Sequence, residues 1–355
     1  MENLKFLGWD DFYEKYLTSN DKEKYEIARI ISEHKNAFII KTANCECRAT
    51  ISGHFFHNIE TRSDIPVVGD WVLVQSGFQD SAIIQKIIPR KTKLNRRSPV
   101  DRKALSGGNF EQVIASNIDI VFIITSLNQN FNLSRIERAL ALVYTSGAVP
   151  AILLSKSDLC EDVGIKTQQV EQIAFGVPVI NFSNVTARGL DEIRKLIEPG
   201  KTACMLGSSG VGKTSLMNIL CNRSEKTVEI REKDAHGRHA TTARSLYFLE
   251  NGGMIIDTPG IREIGLFDSD NESLGNTYQD IEQLALLCKF RDCTHTNEPG
   301  CAVLEAIKTG DLDERRLKNY LKLQKENIFV SDKVQALREK ETKFKKIAKM
   351  IKQIK

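Results

Sequence analysis

GSSGVGKT occupies residues 207–214, between the apolar run KTACMLG (201–207) and the run VGKTSLMNILC (211–221). A strand that ends in a glycine-rich turn and opens a helix lets backbone N–H groups crowd around phosphate oxygens. The helix N-terminus adds a favourable field. Gly207, Ser208, Ser209, Gly210, Val211, Gly212, Lys213, Thr214 and Ser215 are therefore the expected phosphate-binding residues. Lys213 is placed to bridge the β- and γ-phosphates, and the Thr214 hydroxyl to ligate Mg2+. This stretch sets the expectation of an open parallel α/β domain around it.

Downstream, DTPG (257–260) closes the apolar run GGMIID about 45 residues after the loop. Asp257 stands where a carboxylate holds Mg2+, and the Gly260 N–H where a γ-phosphate is sensed. Between the two lies GRHATT (237–242). A threonine there completes the Mg2+ shell when triphosphate is bound, and Thr241 and Thr242 are both candidates. Ile261 follows DTPG, and its side chain cannot hydrogen-bond a water. Another group must orient the attacking water: His239, reaching in once its loop orders, or a group supplied by a partner, with Arg238 a candidate charge stabiliser. Slow turnover by the protein alone is expected.

Upstream of both motifs, SKSD (155–158) follows the run VPAILL. The guanine-reading pattern is Asn-Lys-x-Asp. Its carboxylate accepts hydrogen bonds from guanine N1–H and N2–H2, which adenine does not supply. Asp158 fits that role, the Lys156 stem can cover the ring, and Ser155 stands in place of the asparagine. A partner loop, Phe182-Ser183-Asn184, follows VPVIN, where the usual pattern is Ser-Ala and a backbone N–H reads guanine O6. The base-reading motif thus precedes the phosphate loop, the reverse of an ordinary GTPase.

A chain of 355 residues suggests two or three domains. With 41% hydrophobic and 27% charged residues the composition is that of a soluble globular protein. No apolar run reaches the roughly 18 residues of a membrane span, and the charged start MENLKFLGWDDFYEKY has no signal core. A cytoplasmic monomer is the expectation. The net charge of +4 is unevenly spread. Residues 90–111 carry seven Lys/Arg against two acids, and residues 331–355 nine against three. Such islands suit a phosphate-rich partner, although a solvated linker and a solvated helix face would read the same way.

Five short runs between residues 25 and 88 (YEIARIIS, NAFIIKT, CECRATI, DWVLVQ, SAIIQKII) suit a small barrel of the OB kind. From Ile118 the pattern becomes β-α-β. IDIVFIITS reads as a strand buried on both faces, and Leu133 to Ser146 has helical spacing. The expected division is an N-terminal extension at 1–24, an OB-like RNA-binding barrel at 25–90, a basic linker at 91–112, the α/β domain at 113–270, and a helical unit at 271–355. Val334, Leu337, Phe344, Ile347, Ile351 and Ile354 suggest a C-terminal amphipathic helix.

The eight cysteines do not form a disulfide framework. Cys204 and Cys221 read as core, Cys160 as packing, and Cys45 and Cys47 have no further ligand close by in sequence. Cys288-x4-Cys293-x-His295-x5-Cys301 is different, because it places three thiolates and one imidazole within 14 residues. That is a closed Cys3His set for one tetrahedral, structural Zn2+.

Taken in order, the small barrel, EQVIASNIDIVFII (111–124), SKSDL, GSSGVGKT, GRHATT, DTPG and the Cys/His knuckle resemble the circularly permuted, ribosome small-subunit-dependent GTPases of the RsgA/YjeQ type. The resemblance runs from about residue 25 onward. It implies GTP hydrolysis to GDP and phosphate, coupled to late maturation of the small ribosomal subunit. It also implies a barrel and a zinc domain that contact rRNA. Ser155, Asn184, Ala240 (for the usual Thr) and the N-terminal extension depart from that family's pattern. The alternative from another class is a nucleotide-gated RNA-binding module with negligible hydrolysis. An ATPase acting on a small molecule is disfavoured by Asp158. In the rotated order the DTPG loop feeds into the zinc knuckle within about 30 residues, so loss of the γ-phosphate is expected to move that unit.

Overall fold

The computed structural model describes residues 2–34, 37–59, 61–77, 81–97, 111–128, 130–223, 244–257 and 271–328. Residues 2–24 are folded. A 3-10 turn (Glu2–Leu7) precedes two short helices, α1 (Asp11–Glu14) and α2 (Ser19–Lys24). Leu4, Leu7, Trp9 and Tyr13 are buried in one cluster with Trp71, Leu73 and Ile88. The Trp9 ring meets Trp71 edge-on, with centroids 4.8 Å apart, an arrangement aromatic quadrupoles favour.

Strands β1 (Glu26–His34), β2 (Ala37–Lys41) and β3 (Glu46–Ile51) precede the short helix α3 (Gly53–His57). Strands β4 (Trp71–Ser76) and β5 (Ser81–Ile87) follow it. The pairing runs β1-β2-β3-β5-β4, and β4 returns to β1, closing a five-stranded barrel. Its interior is filled by Ala28, Ile30, Phe38, Ile40, Val72, Val74 and Ile84. A register irregularity between Ile30 and Ser32 bends β1. Its first half pairs with β4, while Ser32 and Glu33 pair with a strand of the α/β domain. Barrel and domain therefore share one sheet.

The segment expected as a bare linker supplies β6 (Lys93–Arg97), which pairs antiparallel with β7 (Glu111–Ser116). The pairing satisfies backbone groups that a bare linker leaves to water. The rest of the linker, 98–110, lies outside the described residues.

Next come β8 (Ile120–Ser126), α4 (Leu133–Ser146), β9 (Val149–Ser155), α5 (Val163–Ile173), β10 (Val179–Asn181), α6 (Leu190–Leu196), β11 (Thr202–Leu206), α7 (Lys213–Leu220), β12 (Arg244–Phe248) and β13 (Met254–Asp257). Neighbours run β10-β9-β8-β11-β13-β12, parallel except for β12. Val121 and Ile123 of β8 join one core, whereas Ile120, Phe122 and Ile124 join the other. A strand buried on both faces must read as a continuous apolar run, which explains IDIVFIITS. Helix α4 starts where the Asn132 side chain accepts from Arg135 N and ends at Gly147 in the left-handed region, a capped helix at both ends.

The C-terminal unit comprises α8 (Asn271–Thr277), α9 (Gln279–Ala285), α10 (Ala302–Thr309) and α11, helical over 314–328. Its core, built on Leu274, Tyr278, Ile281, Val303 and Leu323, includes Ala141 of α4. The expected amphipathic helix at 334–354 lies outside the described residues.

Candidate functional site

Parallel sheets present ligand sites beyond the carboxyl ends of their strands, where the strand order reverses. Here the chain steps from β8 to β9 and β10 on one side, then returns to β11 on the other side of β8. The reversal therefore falls between β8 and β11, and β11 runs straight into Gly207. A Cβ on Gly207 would lie 2.4 Å from the Ile124 carbonyl oxygen, so a side chain is sterically excluded there. Gly212, at φ +97°, caps α7 and turns the loop into the helix. Lys213 Nζ donates to the carbonyls of Gly207 and Ser208, both at 2.6 Å, and so folds back across the loop. Thr214 and Ser209 are exposed, and Ser208, Gly210 and Ser215 half-buried.

Ser155 ends β9, level with Ser126 of β8. Lys156 follows in the left-handed region at φ 59°, a conformation that costs a non-glycine residue about 1–3 kcal/mol. The turn leaves Asp158 exposed at the sheet edge, where its carboxylate can accept from a base. The partner loop leaves β10 alongside it. Ser157 N donates to the Phe182 carbonyl at 3.2 Å, and Phe182 N to the Leu154 carbonyl at 2.9 Å. Ser183 is buried, and its Oγ accepts from Val185 N and Thr186 N, each at 3.1 Å, which shapes the turn.

The SKSD loop and the Phe182-Ser183-Asn184 loop both bind the GSSGVGKT loop. Ser155 Oγ donates to the Val211 carbonyl at 2.7 Å. Asn184 Nδ2 donates to the Gly212 carbonyl at 3.2 Å. These two contacts could not be read from the sequence. Both residues stand out there only as departures from a motif.

Asp257 is the last residue of β13, whose pairing sets Cys204 beside Ile256. Asp257 is therefore one step beyond that pair, on the strand next to the one that carries the phosphate loop. Thr214 and Asp257 thus reach one sheet edge, with oxygen donors of the type Mg2+ takes. Gly260, His239, Thr241, Thr242 and Arg238 lie outside the described residues.

A second constellation lies in the C-terminal unit. The ligand atoms of Cys288, Cys293, His295 and Cys301 all fall within 4.8 Å of one another. Cys288 Sγ is 3.9 Å from Cys301 Sγ and 3.7 Å from His295 Nδ1, and His295 Nδ1 is 3.4 Å from Cys301 Sγ. A tetrahedron with Zn–S bonds of about 2.3 Å has edges of about 3.8 Å, so the four residues fit zinc. His295 sits in the left-handed region at φ 57° and is buried. Cys301 caps α10 and accepts from Leu304 N at 3.5 Å. Between His295 and Cys301, the Glu298 carboxyl is held down at about 2, first by the Thr294 hydroxyl and then by backbone N–H groups.

Two buried charges join these units. Arg29 of β1 is fully buried and donates to the Leu7, Gly69 and Asn117 carbonyls and to Thr202 Oγ1. It ties the N-terminal segment and the barrel to β11. Glu137 of α4 is likewise buried, and its partners are Arg315, Arg316 and Asn319 of α11 and the Tyr278 hydroxyl.

The chain matches a family model described as RsgA GTPase over residues 87–267. A second model, described as 50S ribosome-binding GTPase, matches residues 202–350. The small ribosomal subunit biogenesis GTPase RsgA 1 of Oceanobacillus iheyensis is 38% identical over 350 residues, covering 96% of this chain and 98% of that protein. The small ribosomal subunit biogenesis GTPase RsgA of Methanosarcina acetivorans is 41% identical over 335 residues, covering 94% and 88%. Among solved structures, YjeQ from Thermotoga maritima superposes with a TM-score of 0.64 at 24% identity, covering 86% of this chain and 99% of that one. YloQ, a circularly permuted GTPase, superposes with a TM-score of 0.60 at 24% identity, covering 89% and 99%. These two share the fold.

Proposed function

The chain belongs to the RsgA GTPase family, and from that premise we propose that its GTP hydrolysis serves late assembly of the small ribosomal subunit. The observation that carries the nucleotide reading is the fusion of base-reading and phosphate-binding loops at one sheet edge, through Ser155–Val211 and Asn184–Gly212. Such a site measures the distance from base to phosphate, so it selects a whole nucleotide. Asp158 makes the base guanine, because only guanine offers it paired N–H donors.

The reaction is attack of water on the γ-phosphate, and the protein's part is positioning and neutralising charge. Loop N–H groups and Lys213 bind the phosphates, in exchange for the carbonyl contacts that Lys213 now makes. Thr214 and Asp257, with Thr241 or Thr242, would hold Mg2+, which when bound neutralises charge on the β- and γ-oxygens. Cys288, Cys293, His295 and Cys301 would hold one zinc, with a structural role only. Gly260 senses the γ-phosphate, and His239 orients the water. The barrel, the basic segment and the zinc unit are the rRNA-binding elements, and the protein works in the cytoplasm as a monomer.

The small subunit is favoured over the large because the relatives that match nearly the whole chain carry that name, whereas the 50S description covers residues 202–350 alone. Co-sedimentation with each purified subunit tests this. Binding to small subunits with a GTP analogue, and release with GDP, is the expected result. Equal binding in both states, or binding to large subunits alone, contradicts it.

A further inference from the structure

The guanine-reading pattern has an asparagine before its lysine, and therefore an amide on the β9 loop. This chain has Ser155 there, with a hydroxyl that reaches one phosphate-loop carbonyl, Val211, at 2.7 Å. The partner pattern Ser-Ala has no polar side chain at its second position. This chain has Asn184 there, with an amide that reaches the next carbonyl, Gly212, at 3.2 Å. Two neighbouring carbonyls of one loop are thus held by two residues that each depart from their motif. The contact is close-fitting, since a Cβ on Gly212 would lie 2.8 Å from Asn184 Nδ2. The other polar atom of the amide, Asn184 Oδ1, is shielded from solvent and has no partner among the described residues. A buried acceptor without a partner costs stability in the free protein.

We propose that Ser155 and Asn184 are an exchanged pair of positioning residues, in which the amide of the base-reading motif has moved from the β9 loop to the β10 loop. From there Asn184 fixes the phosphate loop relative to the guanine-reading loops. The proposal rests on the guanine-nucleotide reading above. It makes a specific claim about coupling. An asparagine at 155 is compatible with alanine at 184 and competes with asparagine at 184, because both amides would seek the same two carbonyls.

The test compares the full-length parent with S155N, N184A, N184D and S155N/N184A, by direct titration of GDP, IDP and ADP and by single-turnover phosphate release. Loss of one neutral hydrogen bond weakens GDP binding by about fivefold in N184A. N184D keeps the shape without the donor and loses at least as much. S155N alone also binds more weakly, and the double variant returns to within about twofold of the parent, since coupled residues give non-additive changes. Nucleotide-free N184A should melt no lower than the parent, because the change also removes the unpartnered Oδ1. Additive losses in the double variant, unchanged GDP binding in N184A, or a lowered melting point in nucleotide-free N184A overturn the exchange. A parent that binds ADP as tightly as GDP fails in a different way, since it removes the guanine reading itself.

Discussion

Glu137 Oε1 lies 2.9 Å from Nη1 of Arg316, joining α4 to a residue 179 positions later in the C-terminal unit. The carboxylate is fully buried, and Arg315 and Asn319 also bind it. Arg316 is held further by Asp280 at 2.7 Å. Burial alone would lower the guanidinium's pKa, but Asp280 and Glu137 outweigh it and raise it. Helix α4 connects β8 to β9, and β9 ends at the base-reading loop. The C-terminal unit is therefore clamped to the helix that precedes the strand leading into the SKSD loop. The chain between β13 and α8 is a second, covalent connection between the α/β domain and the C-terminal unit.

Glu137→Ala leaves two arginines without their shared carboxylate, one of them buried. Removing one partner of a buried pair costs about 3–5 kcal/mol. Urea unfolding should show that loss, and the double variant Glu137→Ala/Arg316→Ala should recover part of it. Additive losses would contradict the clamp.

Metal removal tests the knuckle. Purified protein should contain one zinc per chain, and Cys293→Ala should lower that content. Chelation should expose 271–328 to protease while 113–223 stays resistant, because a closed four-ligand site supplies folding energy to its own unit. Intact protease resistance after complete zinc loss would count against a structural metal.

The N-terminal segment is part of the folded core. Trp9→Ala removes a buried indole packed on Trp71 and should cost about 3–5 kcal/mol in denaturant unfolding. The same segment carries a pH dependence. The Asp21 carboxyl is lowered by hydrogen bonds from the Thr18 backbone N–H and then its hydroxyl. A depressed folded pKa means stability that is present above the ordinary aspartate value and is lost as pH falls through the folded one. Asp21→Asn should remove that part of the acid sensitivity, as read from melting points between neutral and acidic pH.

Asp158→Asn replaces two acceptors with one acceptor and one donor. Guanine presents two donors to this residue, so GTP binding should weaken about 10- to 150-fold, the range for a hydrogen bond to a charged group. Xanthine carries an oxygen in place of the exocyclic amine, and its nucleotide should bind the variant better than the parent. A titration that shows no such reversal would remove Asp158 from base recognition.

Local pattern made much of this legible. Leu133–Ser146 is a helix at the bounds its spacing suggests, because α4 buries one stripe and is capped at both ends. Strand β8 is legible because both of its faces are buried. The phosphate loop and the knuckle are legible because phosphate and zinc need fixed residue types at short spacing. Long-range contacts left no such trace. Trp9 and Trp71 meet across 62 positions, and β6 pairs with β7 across a basic segment that reads as solvated. Nothing local in the sequence marks Arg29 or Glu137 as buried, since burial of a charge depends on partners far away in the chain. Ser155 and Asn184 read as imperfect motif residues until the carbonyls of Val211 and Gly212 lie beside them.

The most direct measurement is phosphate release from GTP by the purified protein, alone and with purified small ribosomal subunits, with ATP as the control nucleotide. Slow release alone, a marked rise with small subunits, and no comparable release from ATP is the predicted result. Release that small subunits leave unchanged, or ATP hydrolysed as fast as GTP, would contradict the account.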